Sequence, residues 1–314
     1  MYRRPDIRTF TTMIGWLGVG GLMLGLAARA GGDEPVEMKV LLSGLFNVYS
    51  PEVERIGGTR CLWTGGWKTP ADVGPDRIYR SEETAGQWSE PVENFVKPGY
   101  HVNDPSIVRH PRLGALFMYY TALADEHANA HDMIRRNVTG LAVSVNEGQT
   151  WDDLGIAIGQ DNGLDESGAW SPSAVVVGNE IWVYYHTNFP VFAIYRTRFR
   201  QNGLTPIGTE KVVDSVQLDR QPVFLSNVDV QIQSGQYVMV ANTTDLKRIV
   251  RLQSGDGRNW SPSAELVVDG GANYVLTPQL QVPAGRTRAY RLLFGFDVGG
   301  VSGSDSVHAW TFVR

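Results

Sequence analysis

Three acidic residues stand in short motifs of one kind, spread widely over the 314-residue chain. They are Glu52 in the motif SPEV, Asp104 in the motif DPSI and Asp229 in the motif NVDV. Alternate side chains of a β-strand point to the same face, so the first and third residues of each motif are expected to share a face. Carboxyl groups that converge on a groove are what glycoside cleavage requires, because one acts ionised as base or nucleophile and another donates a proton.

These motifs belong to a unit that recurs five times. Each unit has an opening strand, an aromatic-rich second strand and a third strand, and a Ser…Gly…Trp turn leads most units into a fourth. The opening motifs begin at Ser50, Asp104, Ser171, Asn227 and Thr277, and the second strands cover 61–63, 116–121, 181–187, 237–243 and 290–296. Short strands at this spacing are typical of four-stranded propeller blades. The sequence therefore predicts an all-β fold, a five-bladed β-propeller over residues 31–314.

The fifth unit contains only three strands, and the apolar segment 36–42 near the N-terminus belongs to no unit. A strand without a neighbour leaves a row of backbone N–H and C=O groups unpaired. We therefore expect segment 36–42 to supply the missing outer strand of the fifth blade and to close the ring.

The segment 103–107 (NDPSI), followed by 116–121 (LFMYYT), resembles the Asp-Pro opening of the five-bladed propeller glycosidases, glycoside hydrolase family 43 and its relatives in families 32, 62, 68 and 117. The resemblance implies hydrolysis of a polysaccharide or oligosaccharide with Asp104 as the base. It also implies that Asp229, two blades later, corresponds to the Asp that tunes the acid. The family's acid is a Glu one blade further on, where this chain has Gln279.

Two residues are candidates for the acid in place of that Glu. Glu166 precedes the third opening strand, and Glu52 lies in the first. Because Gln279 and several Ser and Thr residues stand where catalytic carboxylates are expected, a non-catalytic glycan-binding propeller derived from such enzymes is the alternative function. The Ser…Gly…Trp turns resemble the Asp-box of sialidase propellers, and we expect them only to hold the blades together.

Several other residues are candidates for binding a sugar at the channel mouth. Imidazole and amide groups bind sugar hydroxyls, and aromatic faces stack on pyranose rings, although Trp67 and Trp170 would serve equally well in packing between blades. The candidates are Tyr100, His101, Asn103, His186, Trp67 and Trp170. His127 and His131 have a spacing that could ligate a metal on a helix, but a solvated polar loop is the preferred interpretation. We predict no cofactor and leave open a calcium ion in the channel.

The N-terminus has the pattern of an export signal. Arg3, Arg4 and Arg8 precede an uncharged apolar stretch over 14–27, and residues 28–30 (ARA) form a cleavage site of the small-x-small type. The apolar stretch is shorter than the ~20 residues that a membrane-spanning helix needs. We therefore expect a cleaved signal peptide over residues 1–30 and a periplasmic or secreted protein, with an uncleaved membrane anchor as the alternative.

The overall composition restricts the classes of binding partner that are expected for this protein. The formal net charge is −5, and no basic cluster follows the N-terminal segment, so binding to nucleic acid is not expected. The single cysteine, Cys61, cannot form an internal disulfide and is expected to be a buried apolar residue. We expect a monomer whose partner is a carbohydrate.

Overall fold

The computed structural model describes residues 35–43, 47–68, 75–127, 136–159, 168–188, 191–218, 220–266, 274–281, 289–297 and 306–313. The chain divides after Ala30, and all of these residues belong to the second unit, residues 31–314. Among the described residues, no helix has the length and apolar character needed to cross a membrane.

In the part of the chain that the structure describes, twenty-one of the twenty-three strands form five antiparallel blades, which confirms the predicted five-bladed propeller. The described chain starts with β1 (Pro35–Ser43), which belongs to the last blade. Blade 1 contains β2 (Asn47–Ile56), β3 (Thr59–Trp67) and β4 (Arg77–Thr84), and its fourth strand is divided into β5 (Gln87–Trp88) and β6 (Val92–Phe95), both paired with β4. Blade 2 contains β7 (Tyr100–Arg109), β8 (Leu116–Ala124), β9 (Val138–Ser144) and β10 (Asp152–Ile158).

The remaining three blades follow the same plan. Blade 3 contains β11 (Trp170–Val177), β12 (Glu180–Thr187), β13 (Ala193–Arg200) and β14 (Pro206–Val213). The hairpin of β15 (Val216–Leu218) and β16 (Gln221–Val223) connects it to blade 4, which contains β17 (Leu225–Gln233), β18 (Gln236–Thr243), β19 (Ile249–Ser254) and β20 (Ser261–Leu266). Blade 5 contains β21 (Tyr274–Gln281), β22 (Ala289–Asp297), β23 (Ser306–Val313) and β1. A short 3-10 helix (Asp125–His127) follows β8.

The hydrophobic core is divided among the five junctions between neighbouring blades. Each of five buried clusters draws its side chains from two adjacent blades, including the junction between blade 5 and blade 1. Second strands such as β8 are buried on both faces because each is covered by a blade on either side. This explains why these strands are continuous apolar runs and do not alternate.

The Ser…Gly…Trp turns connect third strands to fourth strands and contact the preceding blade. In blade 2, the Ser144 hydroxyl accepts the Gly148 N–H at 2.8 Å, and the Trp151 and Trp63 indoles both donate to Asn94 Oδ1 at 2.8 Å. In blade 4, Tyr184 of the preceding blade donates to the Gly257 carbonyl at 2.8 Å. In blade 1 the corresponding segment is a tight hairpin, because β4 continues to Thr84 and pairs with β5.

The ring closes as predicted from the unassigned N-terminal segment. Strand β1 pairs with β23 in antiparallel register, with Met38 opposite Trp310 and Lys39 opposite Ala309, and Leu42 is buried in the junction between blade 5 and blade 1. Without β1, the outer edge of β23 would expose unpaired backbone groups.

Removing β1 is expected to destabilise the propeller far more than removing the residues before it. Deletion of residues 35–43 removes a complete ladder of hydrogen bonds and part of one core cluster, so it should lower the melting temperature sharply or prevent soluble expression. Deletion of residues 31–34 is the matched control and should be nearly neutral. A thermal melt of both variants decides the matter: a deletion of β1 that melts like the mature chain would contradict the closure.

Candidate active site

Each opening strand carries a β-bulge at the first residue of its motif. Ser50, Asp104, Ser171, Asn227 and Thr277 have φ between 43° and 51°, and the pairing register shifts at each of these positions. The expected strict alternation is therefore interrupted, because two residues of the opening strand face one of its partner. The left-handed conformation is rare for residues other than glycine and is strained for Thr.

The side chains at these first positions meet at the centre of the propeller, around Asp104. Its Oδ2 accepts hydrogen bonds from Thr121 Oγ1 at 2.8 Å and from Ser171 Oγ at 3.0 Å, and Ser50 Oγ donates to its Oδ1. Asp104 is buried, and burial raises the pKa of its carboxyl, while the three hydroxyl donors act in the opposite direction. A carboxyl group with a raised pKa is a stronger base, as general base catalysis near neutral pH requires.

The side chains at the third positions form a second layer, which we call the third-position ring: Glu52, Ser106, Ser173, Asp229 and Gln279. Each member accepts a hydrogen bond from the backbone N–H of the fourth motif residue of the next blade, so the pattern runs once around the propeller. The pairs are Glu52 Oε1 with Ile107 N (3.1 Å), Ser106 Oγ with Ala174 N (3.0 Å), Ser173 Oγ with Val230 N (2.8 Å), Asp229 Oδ2 with Leu280 N (2.8 Å) and Gln279 Oε1 with Val53 N (3.0 Å). The ring thus satisfies inward-facing N–H groups that the blade sheets leave unpaired.

Two of the predicted carboxylates, Glu52 and Asp229, belong to this ring, and both oxygens of each are hydrogen-bonded. Gln279 Nε2 donates to Glu52 Oε2 at 2.7 Å, and Ser173 Oγ donates to Asp229 Oδ1 at 3.1 Å. Burial and the neighbouring carboxylates raise the pKa of Glu52 well above its ordinary value, and burial raises the pKa of Asp229 to about 6. Burial also raises the pKa of Glu54, the next residue on this side of β2, to about 7.

The two layers enclose a narrow channel. A cavity of about 30 Å³ is lined by motif residues of all five opening strands, among them Asp104, Glu52 and Asp229. This volume has room for about one water molecule. The three carboxyl groups line this cavity in two layers that have different hydrogen-bond partners.

A second acidic cluster lies beside Asp104, between blades 1 and 2. Asp76, just before β4, accepts hydrogen bonds at Oδ2 from the Tyr49 hydroxyl at 2.7 Å and from Asn103 Nδ2 at 3.0 Å. The Asp76 backbone N–H donates to His101 Nδ1 at 3.1 Å. Burial raises the pKa of Asp76, the hydrogen bonds that Tyr49 and Asn103 donate act in the opposite direction, and the charge of Asp104 adds a smaller increase.

Close packing holds this cluster against the second blade. A Cβ atom on Gly65 of β3 would lie 2.9 Å from Asn103 Cβ and 3.3 Å from Asn103 Cα. Such distances are shorter than side chains tolerate, so glycine at position 65 is what lets β3 approach the residue that precedes Asp104. The spacing between Asp76 and Asn103 depends on this contact.

The other predicted binding residues lie at the ends of strands. Trp170 starts β11, and its ring lies 5.9 Å from that of His186, near the end of β12. His186 is buried, which lowers its pKa to about 3, and its Nδ1 accepts the Asn227 N–H at 3.1 Å. Tyr100 starts β7, and the half-buried Trp67 ends β3. Glu166 and His131 lie outside the described residues.

Asp76 and Tyr49 were not predicted as site residues. The repeat contains a signal for Tyr49, because it precedes the first opening motif as Asn103 and Trp170 precede the second and third. For Asp76 the sequence offers no comparable signal, since it lies in the connection before a third strand and meets Asn103 only in the folded protein. Among the described residues, no group of three or more His, Cys, Asp or Glu side chains is arranged to hold a metal ion.

Comparisons with known proteins agree with this architecture. The family described as "Glycosyl hydrolases family 32 N-terminal domain" matches residues 95–276, more than half of the chain. The match runs from the end of β6 into β21 and so includes Asp104. No curated protein matches the chain in sequence.

Solved structures of the same fold include several sugar-acting enzymes. Zg3597, a family 117 glycoside hydrolase from Zobellia galactanivorans, has 15% identity and a TM-score of 0.65, with 88% of this chain and 89% of that chain covered. The GH43_1 enzyme from Xanthomonas citri, in a complex with xylose, has 11% identity and a TM-score of 0.64 over 89% and 90%. An N-acetylgalactosamine deacetylase from F. plautii, in a complex with blood group B trisaccharide, has 14% identity and a TM-score of 0.62 over 90% and 94%. At these identities the likeness shows the fold.

The third-position ring predicts a stability effect for Ser173. Replacing Ser173 by Ala leaves the Val230 N–H without an acceptor and removes a donor to Asp229, so the free energy of unfolding should fall by about 1–3 kcal/mol. Ser261→Ala, which removes an exposed hydroxyl of β20, is the control and should change it by less than about 0.5 kcal/mol. Urea denaturation measures both, and equal effects would show that the ring adds nothing to stability.

The raised carboxyl pKa values predict that stability falls as the pH rises. Between the ordinary carboxyl pKa and pH 7 the folded protein binds more protons at Glu54 and Asp229 than the unfolded chain does. This stabilisation is complete below the unfolded pKa of about 4, and it is lost as the pH rises through about 6 and 7. Burial of neutral His186 acts in the opposite direction below its unfolded pKa of about 6.5, so the test compares two proteins. Relative to Glu54→Gln, the wild-type protein should lose stability as the pH rises from 4.5 to 8, and a difference in melting temperature that stays constant over this interval would contradict the raised pKa of Glu54.

Proposed function

Because the chain belongs to the family of the glycosyl hydrolase family 32 N-terminal domain, we propose that it is an exported glycoside hydrolase. Its substrate is a polysaccharide or oligosaccharide, and Asp104 is the base. The observation that carries this proposal is the position of Asp104: the Asp-Pro motif lies at the centre of the channel, in a strained backbone conformation repeated in all five blades.

The environment of Asp104 suits a base that removes a proton from water. Three hydroxyl groups fix the orientation of the carboxylate, and the adjoining cavity has room for about one water molecule. Fixed donors around a buried carboxylate maintain its geometry at no reorganisation cost during the reaction. Proton transfer between water and carboxyl groups requires no cofactor, and a calcium ion in the channel is not needed for this step.

The third-position ring limits the roles of the other predicted carboxylates. Glu52 and Asp229 already use both oxygens to accept hydrogen bonds, so contact with a substrate would break part of the ring. Within this proposal they hold the blades in register beneath Asp104. The binding of sugar rings falls to residues outside both layers, with Trp170, Trp67 and Tyr100 as stacking candidates and His101 and Asn103 as hydrogen-bonding candidates.

Export rests on the N-terminal sequence. The three arginines, the uncharged stretch 14–27 and the cleavage pattern at 28–30 fit a signal peptide that is removed before the propeller acts. A polysaccharide substrate outside the cytoplasm agrees with such a location.

A non-catalytic glycan-binding propeller is the second candidate. The hydrogen bonds at the centre favour it, because the side chains of the opening strands around Asp104 already bond one another. Such a protein would bind glycans at the mouth of the channel without cleaving them.

Replacement of Asp104 separates the two functions. In Asp104→Asn the shape of the side chain is kept, but the base is lost and one acceptor oxygen is replaced by an amide donor. Turnover of aryl glycosides and polysaccharides should therefore fall about 10²- to 10⁴-fold, while the melting temperature falls by only a few degrees. Asp214→Asn, a substitution of an exposed Asp paired with Lys211, is the control and should keep full activity.

Each outcome assigns one function. If the Asp104→Asn variant keeps the turnover of the wild-type protein, Asp104 is excluded as the base. Glycan binding without turnover in the wild-type protein, and with the same affinity in Asp104→Asn, would establish the binding function in place of hydrolysis.

A further inference from the structure

A second cavity lies between blade 5 and blade 1, beside the pair of strands that closes the ring. Its volume is about 90 Å³, which gives room for roughly six water molecules. Strands β1, β22 and β23 of blade 5 and strands β3 and β4 of blade 1 form its walls. Its charged lining residues are the cations Lys39, Arg60 and Arg291 and the carboxylates Glu37 and Glu83.

Strand pairing places this cavity on the far side of the third-position ring from Asp104. Arg291 of β22 lies opposite Gln281, the last residue of β21. Along β21, Thr277 in the layer of Asp104 comes first, and Gln279 of the third-position ring comes next. Gln281 follows both, so the cavity is separate from the candidate active site.

Most of the charged groups in the cavity already have partners. Arg60 Nη1 forms an ion pair with Glu83 Oε2 at 2.7 Å, and Lys39 Nζ donates to the Gly86 carbonyl at 3.2 Å. In the part of the chain that the structure describes, the half-buried Arg291 forms neither a side-chain hydrogen bond nor an ion pair. Arginine is seldom removed from solvent without a partner. Arg291 is therefore the cation of this cavity that is available to a ligand.

The charges that line the cavity favour a ligand with a single negative charge. The three cations exceed the two carboxylates by one. The planar guanidinium of Arg291 can bind a carboxylate through two parallel hydrogen bonds. Glu37 and Glu83 repel an ion with two charges, such as sulfate, but their oxygens accept hydrogen bonds from hydroxyl groups. A sugar that carries a carboxylate supplies both the single charge and the hydroxyl groups.

We infer that this cavity is a binding site for a uronic acid, the acidic sugar unit of a glycan. Arg291 binds the carboxylate of the sugar, and Glu37 and Glu83 accept hydrogen bonds from its hydroxyl groups. The ligand contacts β1 and β22 on one side and β3 and β4 on the other, so its binding stabilises the closed ring. The inference goes beyond the proposed hydrolysis and does not depend on it, because Asp104 takes no part in this site.

Calorimetric titration tests the site with D-glucuronate and D-galacturonate as probes, at low ionic strength to limit screening. Arg291→Gln should lower the affinity for both uronates at least about tenfold, because a charged hydrogen-bonding partner is lost. The same variant should leave any binding of D-glucose and D-galactose unchanged, since these sugars carry no charge. Arg200→Gln, which removes an exposed arginine at the end of β13, is the matched control and should keep the uronate affinity.

Thermal melts provide a second readout and separate this inference from the proposed function. Both uronates should raise the melting temperature of the wild-type protein and of Asp104→Asn, but not that of Arg291→Gln. Without ligand, Arg291→Gln should melt within a few degrees of the wild type, because Arg291 has no partner in the described part of the chain. This pattern supports the site whether or not the protein hydrolyses glycosides.

The opposite results overturn the inference. Absence of saturable binding of both uronates would reject the site. A uronate affinity that is unchanged in Arg291→Gln, or lost in Asp104→Asn, would place the binding elsewhere in the protein. Sodium sulfate that binds as tightly as the uronates, and depends equally on Arg291, would show a site for an adventitious ion only.

Discussion

The innermost strand of each blade has one free edge, and the N–H groups along that edge point into a channel too narrow to hydrate them all. The arrangement of side chains at the centre of the molecule follows from the need to satisfy these N–H groups. Backbone N–H groups that are buried without a partner are strongly disfavoured. Here each inward N–H at the fourth motif position is satisfied by a side chain from the neighbouring blade. The third motif position must therefore carry an acceptor, and Glu, Ser, Ser, Asp and Gln all meet that requirement.

The same ring connects neighbouring blades side by side at their inner strands, whereas the backbone runs from the outer strand of one blade to the inner strand of the next. Its bond from Gln279 to Val53 crosses the junction between blade 5 and blade 1, where β1 and β23 also pair at the rim. Ring closure is thus supported at the inner edge by side chains and at the outer edge by a strand. The left-handed residues at the first motif positions cost of order 1–3 kcal/mol each. They persist in all five blades because this network and the five inter-blade cores leave no alternative conformation.

The sequence predicted those features that depend on repetition. Five copies of one motif determined the blade count, and the unassigned segment before the first copy predicted the pairing of β1 with β23. The bulges were not predictable from the same pattern, because a reading with period two assumes a regular strand, and Pro at the second position does not reveal a left-handed residue before it. Glu52 and Asp229 were recognised as channel residues, but their hydrogen-bond partners belong to neighbouring blades some 50 residues away in sequence. Asp76 was missed for a related reason, since a contact between a connection and a strand of the next blade follows from the fold and from no local pattern.

The two layers of the channel divide structural and chemical roles between the residues of each opening motif. A residue at the third position cannot leave its N–H partner without exposing a buried backbone group, so chemistry there conflicts with stability. A residue at the first position bonds mainly to other side chains, and its replacement leaves fewer backbone groups unsatisfied. The residues before the motif, Tyr49, Asn103 and Trp170 in the first three blades, lie outside both layers and take no part in the third-position ring. Reactive groups in a propeller of this kind are therefore expected at the first position and beside it, where Asp104 and Asp76 lie, and a carboxyl group of the third-position ring contributes its hydrogen bonds.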